Sequence, residues 1–172
     1  MDQPGTDERL LLDLLNSTPV IGGQPTDELS DASAGHAWLT AHGRPAGDAA
    51  WRRLRDARDA LQGVVRGDVS ADDLAPFVRA ASYRAGFSDG RVTWSLTAPA
   101  ADEAAAAAVL AWDAVQSSMP GRLRPCANPD CRLFLLDRSK PNSARWCSMA
   151  SCGNRMKARR HYERTRGRDD AS

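Results

Sequence analysis

The residues best placed to do chemistry in this 172-residue chain are its four cysteines, Cys126, Cys131, Cys147 and Cys152, which fall in one segment as two pairs of identical spacing. Each pair encloses four residues, and fifteen residues separate the pairs. Four thiols gathered in so short a stretch offer a tetrahedral set of soft ligands, the pattern of a structural zinc site with sulfur at ~2.3 Å. Three other uses compete. A redox centre wants an exposed thiol of low pKa and usually a Cys-x-x-Cys pair, which is absent. Disulfides want an oxidising compartment, whereas the acidic start of the chain lacks the basic and apolar regions of a signal peptide and points to a reducing cytoplasm. Iron–sulfur ligation fits the ligand type, but nothing in the spacing favours it over zinc. The expectation is one structural Zn2+ held by all four thiolates. Around it stand few large apolar residues (Leu133, Phe134, Leu135, Leu136, Trp146, Met149 and Met156), so the metal must supply part of the folding energy.

The elements that position these thiols can be read locally. Pro125 and Asn128-Pro129 suit a tight turn that aims N–H groups at sulfur, Leu133 to Leu136 reads as a strand, and Asp137 to Ser143 as a turn. Ser148 or Ser151 can cap a helix that carries Cys152 in its first turn and runs to about Arg166, which stabilises the thiolate. Gly153 leaves room for backbone beside the metal. Trp146 could stack on a base, though packing in so small a core suits it better.

Charge is partitioned along the chain. Residues 121–172 carry thirteen Arg and Lys against five Asp and Glu, a net of +8, while residues 1–120 carry ten against seventeen, a net of −7. A cationic module attached to an acidic body suggests a surface for polyanions. The expected nucleic-acid contacts are Arg138, Lys140 and Arg145 before the last helix, and Asn154, Arg155, Lys157, Arg159, Arg160 and Arg164 on it, where Arg166 follows. Asn154 would either read a base edge or brace the zinc knuckle. His161 is expected at a phosphate or on the surface.

The fold class expected is mainly α: residues 1–120 as a helical domain with a small β-hairpin, and residues 121–172 as a small four-cysteine zinc finger of short strands and one basic helix. Thr6 should cap a first helix built on Leu10, Leu11, Leu14 and Leu15, and residues 19–28 should form a loop. A second helix starts at Ser30 or Asp31 and turns Ala34, Ala37, Trp38 and Leu39 inward, with His36 and His42 at the surface or at a cap. The third, from about Ala46 to Arg66, buries Trp51, Leu54, Ala57, Leu61, Val64 and Val65 and keeps its charged residues, Arg58 among them, largely on the outer face. A fourth is expected from Ser70 to about Tyr83, kinked or delayed in its start by Pro76. Asp89-Gly90 between alternating apolar runs predicts a hairpin, which should pack on the helices to be stable. Ala101 to Ser118 forms a fifth, alanine-rich helix, and Pro120-Gly121 marks the boundary.

The runs Leu123-Arg-Pro-Cys126, Cys131-Arg-Leu-Phe134, Asp137-Arg-Ser139, Arg145-Trp-Cys-Ser-Met149 and Cys152-Gly-Asn-Arg155-Met-Lys157 resemble the CGNR-type zinc finger. That finger stands at the C-terminus of bacterial proteins whose alanine-rich helical N-terminal part is the ABATE domain, which the present N-terminal part resembles through Leu12-Asp13-Leu14-Leu15-Asn16-Ser17 and Trp38-Leu39. Ser17 replaces an expected threonine. Ala144 replaces an expected arginine, which removes one phosphate contact without touching the metal site. The resemblance implies a transcription regulator that binds DNA through the finger.

These strands join in one expectation: a zinc-dependent, DNA-binding regulator whose acidic body forms a homodimer or senses a small-molecule effector. The alternative is an RNA-binding or protein-interaction zinc module. An enzyme is not expected, because no nucleophile–base set or phosphate loop is present and a zinc with four protein ligands has no open position. No apolar run approaches the ~18 residues of a membrane span.

Overall fold

Leucine spacing builds the first element: helix α1 (Glu8–Leu15) turns Leu10, Leu11, Leu14 and Leu15 inward, all fully buried. The computed structural model describes residues 7–169, with side chains for all of these except 161 and 164–169, so the roles expected of Thr6, His161, Arg164 and Arg166 lie outside the described residues. Asp7 caps α1, accepting from the Leu10 N–H at 3.0 Å. Beyond α1, the expected loop carries a minimal ladder of β1 (Val20–Ile21) and β2 (Gln24–Pro25), closed by Gly22 and Gly23 at φ 59° and 83°.

Helix α2 (Ala32–Ala41) starts at Asp31, which accepts from the Ala34 N–H at 3.0 Å. His42 caps its other end: the ring stacks on Trp38 at 3.7 Å, with Nδ1 2.8 Å from the Trp38 carbonyl and Nε2 3.1 Å from Asp13. Helix α3 (Asp48–Arg66) ends on left-handed Gly67. Helix α5 (Glu103–Ser118) buries Ala104 to Ala108, Ala111 and Ala114, and these methyl-sized side chains let α1 and α3 pack closely on it.

Three expectations are corrected. Arg58 is not on the outer face of α3 but 2% exposed, because with Leu54, Leu61 and Gln62 it falls on the inward i, i+4 stripe. Its guanidinium donates to both carboxylate oxygens of Asp27, at 2.5 and 3.1 Å, and to Asp59 at 3.0 Å. Gln62 donates to the Leu15 carbonyl at 2.8 Å and so satisfies the end of α1. Secondly, the fourth helix is not a run to Tyr83. A 3-10 turn (Ala71–Leu74) leads into the four-residue α4 (Ala75–Val78), with Pro76 in its first turn, and the chain is extended again from Ser82.

The third correction concerns the hairpin of β3 (Ser82–Ser88) and β4 (Arg91–Thr97). Asp89 and Gly90 close it at φ 50° and 73°, as a two-residue turn with both central residues left-handed requires. It does not lie on the helices: only Leu96 packs against the core, and the remaining strand residues are exposed.

After α5, β5 (Leu123–Pro125) pairs antiparallel with β6 (Phe134–Leu136). Leu123 and Phe134 join the hydrophobic cluster of the body, and Asn16 grips β6 by accepting from the Phe134 N–H at 2.7 Å and donating to its carbonyl at 3.3 Å. The guanidinium of Arg66 covers the Phe134 ring at 4.7 Å. The cysteine segment is therefore seated on α1 and α3 rather than tethered by a free linker. A π-helical turn (Met149–Gly153) then feeds the last helix, α6 (Asn154–Asp169). Among the described residues no helix is long and apolar enough to cross a membrane.

Candidate metal centre and cationic surface

Antiparallel pairing of β5 and β6 brings Cys126 and Cys131 to one end of a short knuckle, and the π-helical turn delivers Cys152 opposite them. All four Sγ atoms lie within 4.8 Å of one another. A tetrahedral thiolate shell with ~2.3 Å bonds has sulfur–sulfur edges of ~3.8 Å. The Cys131–Cys147 and Cys147–Cys152 separations are both 3.7 Å, far beyond the ~2.05 Å of a disulfide. The donor set, its spacing and its closure by four protein ligands fit one zinc ion.

Hydrogen bonds to sulfur come from three sides. The Leu133 N–H donates to Cys131 at 3.5 Å, the Cys147 N–H to Cys126 at 3.4 Å, and the Asn128 side-chain amide to Cys152 at 3.3 Å. Until a metal binds, burial above all, with Cys152 and Cys126, pushes Cys131 up to about 11, and burial raises Cys147 as well. Cys152 is pulled down despite its burial, by the Asn128 amide and the other thiols. A metal replaces those protons.

One local expectation changes here. Cys152 precedes α6 in the π-helical turn, where the Ser148 hydroxyl accepts from the Ser151 N–H at 3.4 Å, so the helix proper opens at Asn154. Gly153 is also hemmed in by packing: a Cβ there would stand 2.8 Å from Met149 Sδ and 3.2 Å from Trp146 Cδ1. Trp146 packs at this spot, with Arg145 over its ring at 5.4 Å.

The segment between Cys131 and Cys147 is braced by Asp137, which is buried. Its carboxylate accepts from the Ser139 and Ala144 N–H groups at 2.8 Å each and from Arg124 at 2.9 Å. Ser139 first, then these other donors, hold that carboxyl below the usual range. Arg122 donates to the Asp137 and Ser139 carbonyls at 3.0 and 2.6 Å. Two of the thirteen cations counted in the sequence are thus turned inward as struts.

The remaining cations divide by partner. Arg138 is exposed but paired with Glu8 of the body, and Arg159 bonds Glu163 at 3.1 Å and approaches Asp130 at 4.0 Å. Among the described residues Arg132, Lys140, Arg145, Arg155, Lys157 and Arg160 are exposed and have no ion pair, Arg145 lying over the Trp146 ring. On α6, Arg155 and Arg159 share one face, one turn apart, while Lys157 and Arg160 share another. Arg155 and Arg132 also line an open groove of about 700 Å³ between the Gly22–Gly23 turn and the knuckle. Asn154 donates to the Ala150 carbonyl at 3.3 Å, which makes it a brace of the turn.

The CGNR zinc finger family matches residues 122–165, and the ABATE family, described as "Putative stress-induced transcription regulator", matches residues 8–118. The chain belongs to the ABATE family. Its four cysteines and its Cys152-Gly153-Asn154-Arg155 run both fall inside the CGNR finger. Among curated proteins none matches at a significant level. Both families are of the regulator and zinc-finger type, and neither is an enzyme family.

Within the CGNR finger, two residues matter more than their types announced. Asn128 is 1% exposed and uses both ends of its amide, donating to Cys152 and accepting from the Asp130 N–H at 3.2 Å. The Asn-Pro pair signals the turn, but only folding shows that the side chain spans to the second cysteine pair, 24 residues on. Arg132, next to Cys131, is the cation that motif reading passed over. For Asn128→Ala we expect zinc affinity to fall ~10–100-fold with one zinc still bound, measured by competition with a chelating dye, because a ligand loses the donor that orients it.

Proposed function

We propose that this protein is a DNA-binding transcription regulator in which Cys126, Cys131, Cys147 and Cys152 hold one structural zinc ion and the CGNR finger presents cations to the phosphate backbone. The observation that carries this reading is the set of cations that are exposed and have no ion pair among the described residues (Arg132, Lys140, Arg145, Arg155, Lys157 and Arg160), on a module whose own core, strut arginines and seat on the ABATE domain fix it in place. Guanidinium and ammonium groups without acidic partners are free to displace counterions from phosphates, and the energy of that release needs no base contact. Arg159 contributes less than its exposure suggests, because Glu163 already neutralises it. With four thiolates around it the zinc has no position for substrate, so its part is structural. The acidic ABATE domain is the unit that dimerises or senses an effector.

Anisotropy titrations of a labelled ~25-bp duplex at several salt concentrations test this reading. The logarithm of affinity is expected to fall steeply with that of salt, and Arg155→Glu with Arg160→Glu to weaken binding at least ~100-fold and flatten the slope by about 2. A flat salt dependence, or binding indifferent to the double reversal, refutes it. Tighter capture of single-stranded RNA than of duplex selects the RNA-binding alternative.

A further inference from the structure

The β3–β4 hairpin is amphipathic, and among the described residues only its base, at Leu96, is covered by its own chain. Its register sets Tyr83 opposite Leu96, Ala85 opposite Trp94 and Phe87 opposite Val92, so all six project from one face. The other face carries Arg84, Ser88, Arg91, Thr93 and Ser95. Such alternation normally accompanies a buried apolar face, yet Phe87 is 75% exposed, Val92 58%, Trp94 52% and Tyr83 38%.

We propose that this face is a docking surface for a second copy of the same chain, two hairpins meeting face to face about a two-fold axis. The inference rests on the dimerising role given above to the ABATE domain and names the surface responsible. Area supports it. Taking ~150–250 Å² for a whole aromatic side chain, these exposures leave about 400–500 Å² of apolar surface per copy. Two copies bury roughly double that, and the flanking Ala85 and strand backbone bring the total to the ~1,000 Å² at which specific interfaces begin. Self-complementarity supports it too. The face has no charged side chain, so a two-fold contact brings no like charges together although the domain as a whole is acidic, and the arginines stay on the outer, wet side. Stacking also gives each two-stranded ribbon the second layer that an isolated hairpin lacks.

Sedimentation equilibrium of the full zinc-loaded chain, without DNA, tests the proposal. The unaltered protein is expected to be dimeric at about 100 µM, well above the micromolar Kd that a minimal interface supports. Phe87→Ser with Trp94→Ser is expected to raise that Kd ~100-fold or more, while zinc content, and melting at concentrations where the parent is monomeric, stay unchanged, since both side chains are exposed in the single chain. Val92→Arg on the apolar face is expected to abolish the dimer, and Thr93→Arg on the polar face to leave it intact. A monomeric parent protein, or a dimer that survives Phe87→Ser with Trp94→Ser, overturns the proposal. So does a dimer that Thr93→Arg disrupts as strongly as Val92→Arg. Because association is measured without nucleic acid, its failure is distinct from a failure of DNA binding by the finger.

Discussion

Removing the zinc, by chelator or by Cys152→Ser, is expected to unfold the finger and to lower the melting temperature of the whole chain. Structural zinc contributes about 10–16 kcal/mol of apparent binding free energy in small modules, more than the few apolar side chains around these thiols can replace. The effect should not stop at the knuckle. Leu123 and Phe134 sit in the cluster shared with α1, α3 and α5, and Asn16 holds the backbone of Phe134 by two hydrogen bonds, so losing β5 and β6 opens one side of the ABATE core. Calorimetry with and without chelator, together with amide exchange over residues 123–153, checks this. Unchanged melting and unchanged protection in that segment would refute it.

Acidity should act through the same thiols. Zinc binds thiolates, so protons compete with it, and the loaded finger should lose metal progressively as pH falls, as measured by release of zinc to a chelating dye.

A single methyl group at Gly35 is expected to destabilise the ABATE domain by more than ~3 kcal/mol, beyond the usual range for overpacking. A Cβ there would stand 2.0 Å from Trp51 Cδ1 and 2.5 Å from Cγ. The indole cannot swing aside freely, because its N–H donates to the Leu29 carbonyl at 3.0 Å and α2 packs directly on α3. Either that bond breaks or the two helices part. The sign is diagnostic, since glycine to alanine inside an unobstructed helix stabilises by about 1 kcal/mol. Urea unfolding of Gly35→Ala measures the difference, and a loss under 1 kcal/mol would mean that the α2–α3 contact is looser than described.

Much of the fold could be read from residue spacing because helices of this kind are specified locally. The leucines of α1 and the alanines of α5 announce their buried faces by period, and Asp89-Gly90 announces its turn by the left-handed backbone it accepts. Spacing misled where a polar residue occupies an inward position. Arg58 looks like an outer-face charge until the loop carrying Asp27 folds over it, and that loop lies 31 residues away. The fourth helix failed for a different reason: strand pairing with β4 claims Ser82 and Tyr83, and pairing across a hairpin outweighs a weak helical preference already interrupted by Pro76. The hairpin was read correctly as an element and wrongly as a buried one. Alternation reports that a face is apolar and says nothing of what covers it.

For the candidate site, the sequence by itself determined the four thiols, their pairing into two knuckles and the excess of cations around them, since ligand type, spacing and charge are properties of the chain. Tertiary structure alone decided which of those cations stand exposed and which are paired or turned inward. Arg122 and Arg124 are turned inward as struts, Arg138 and Arg159 are taken by acidic partners, and Arg132 is added at the groove beside Arg155. It also decided that the finger leans on α1 and α3, through contacts such as that between Asn16 and Phe134, 118 residues apart. Ion pairs and seats of this kind join residues distant in sequence, and only the folded chain brings them within a few ångströms.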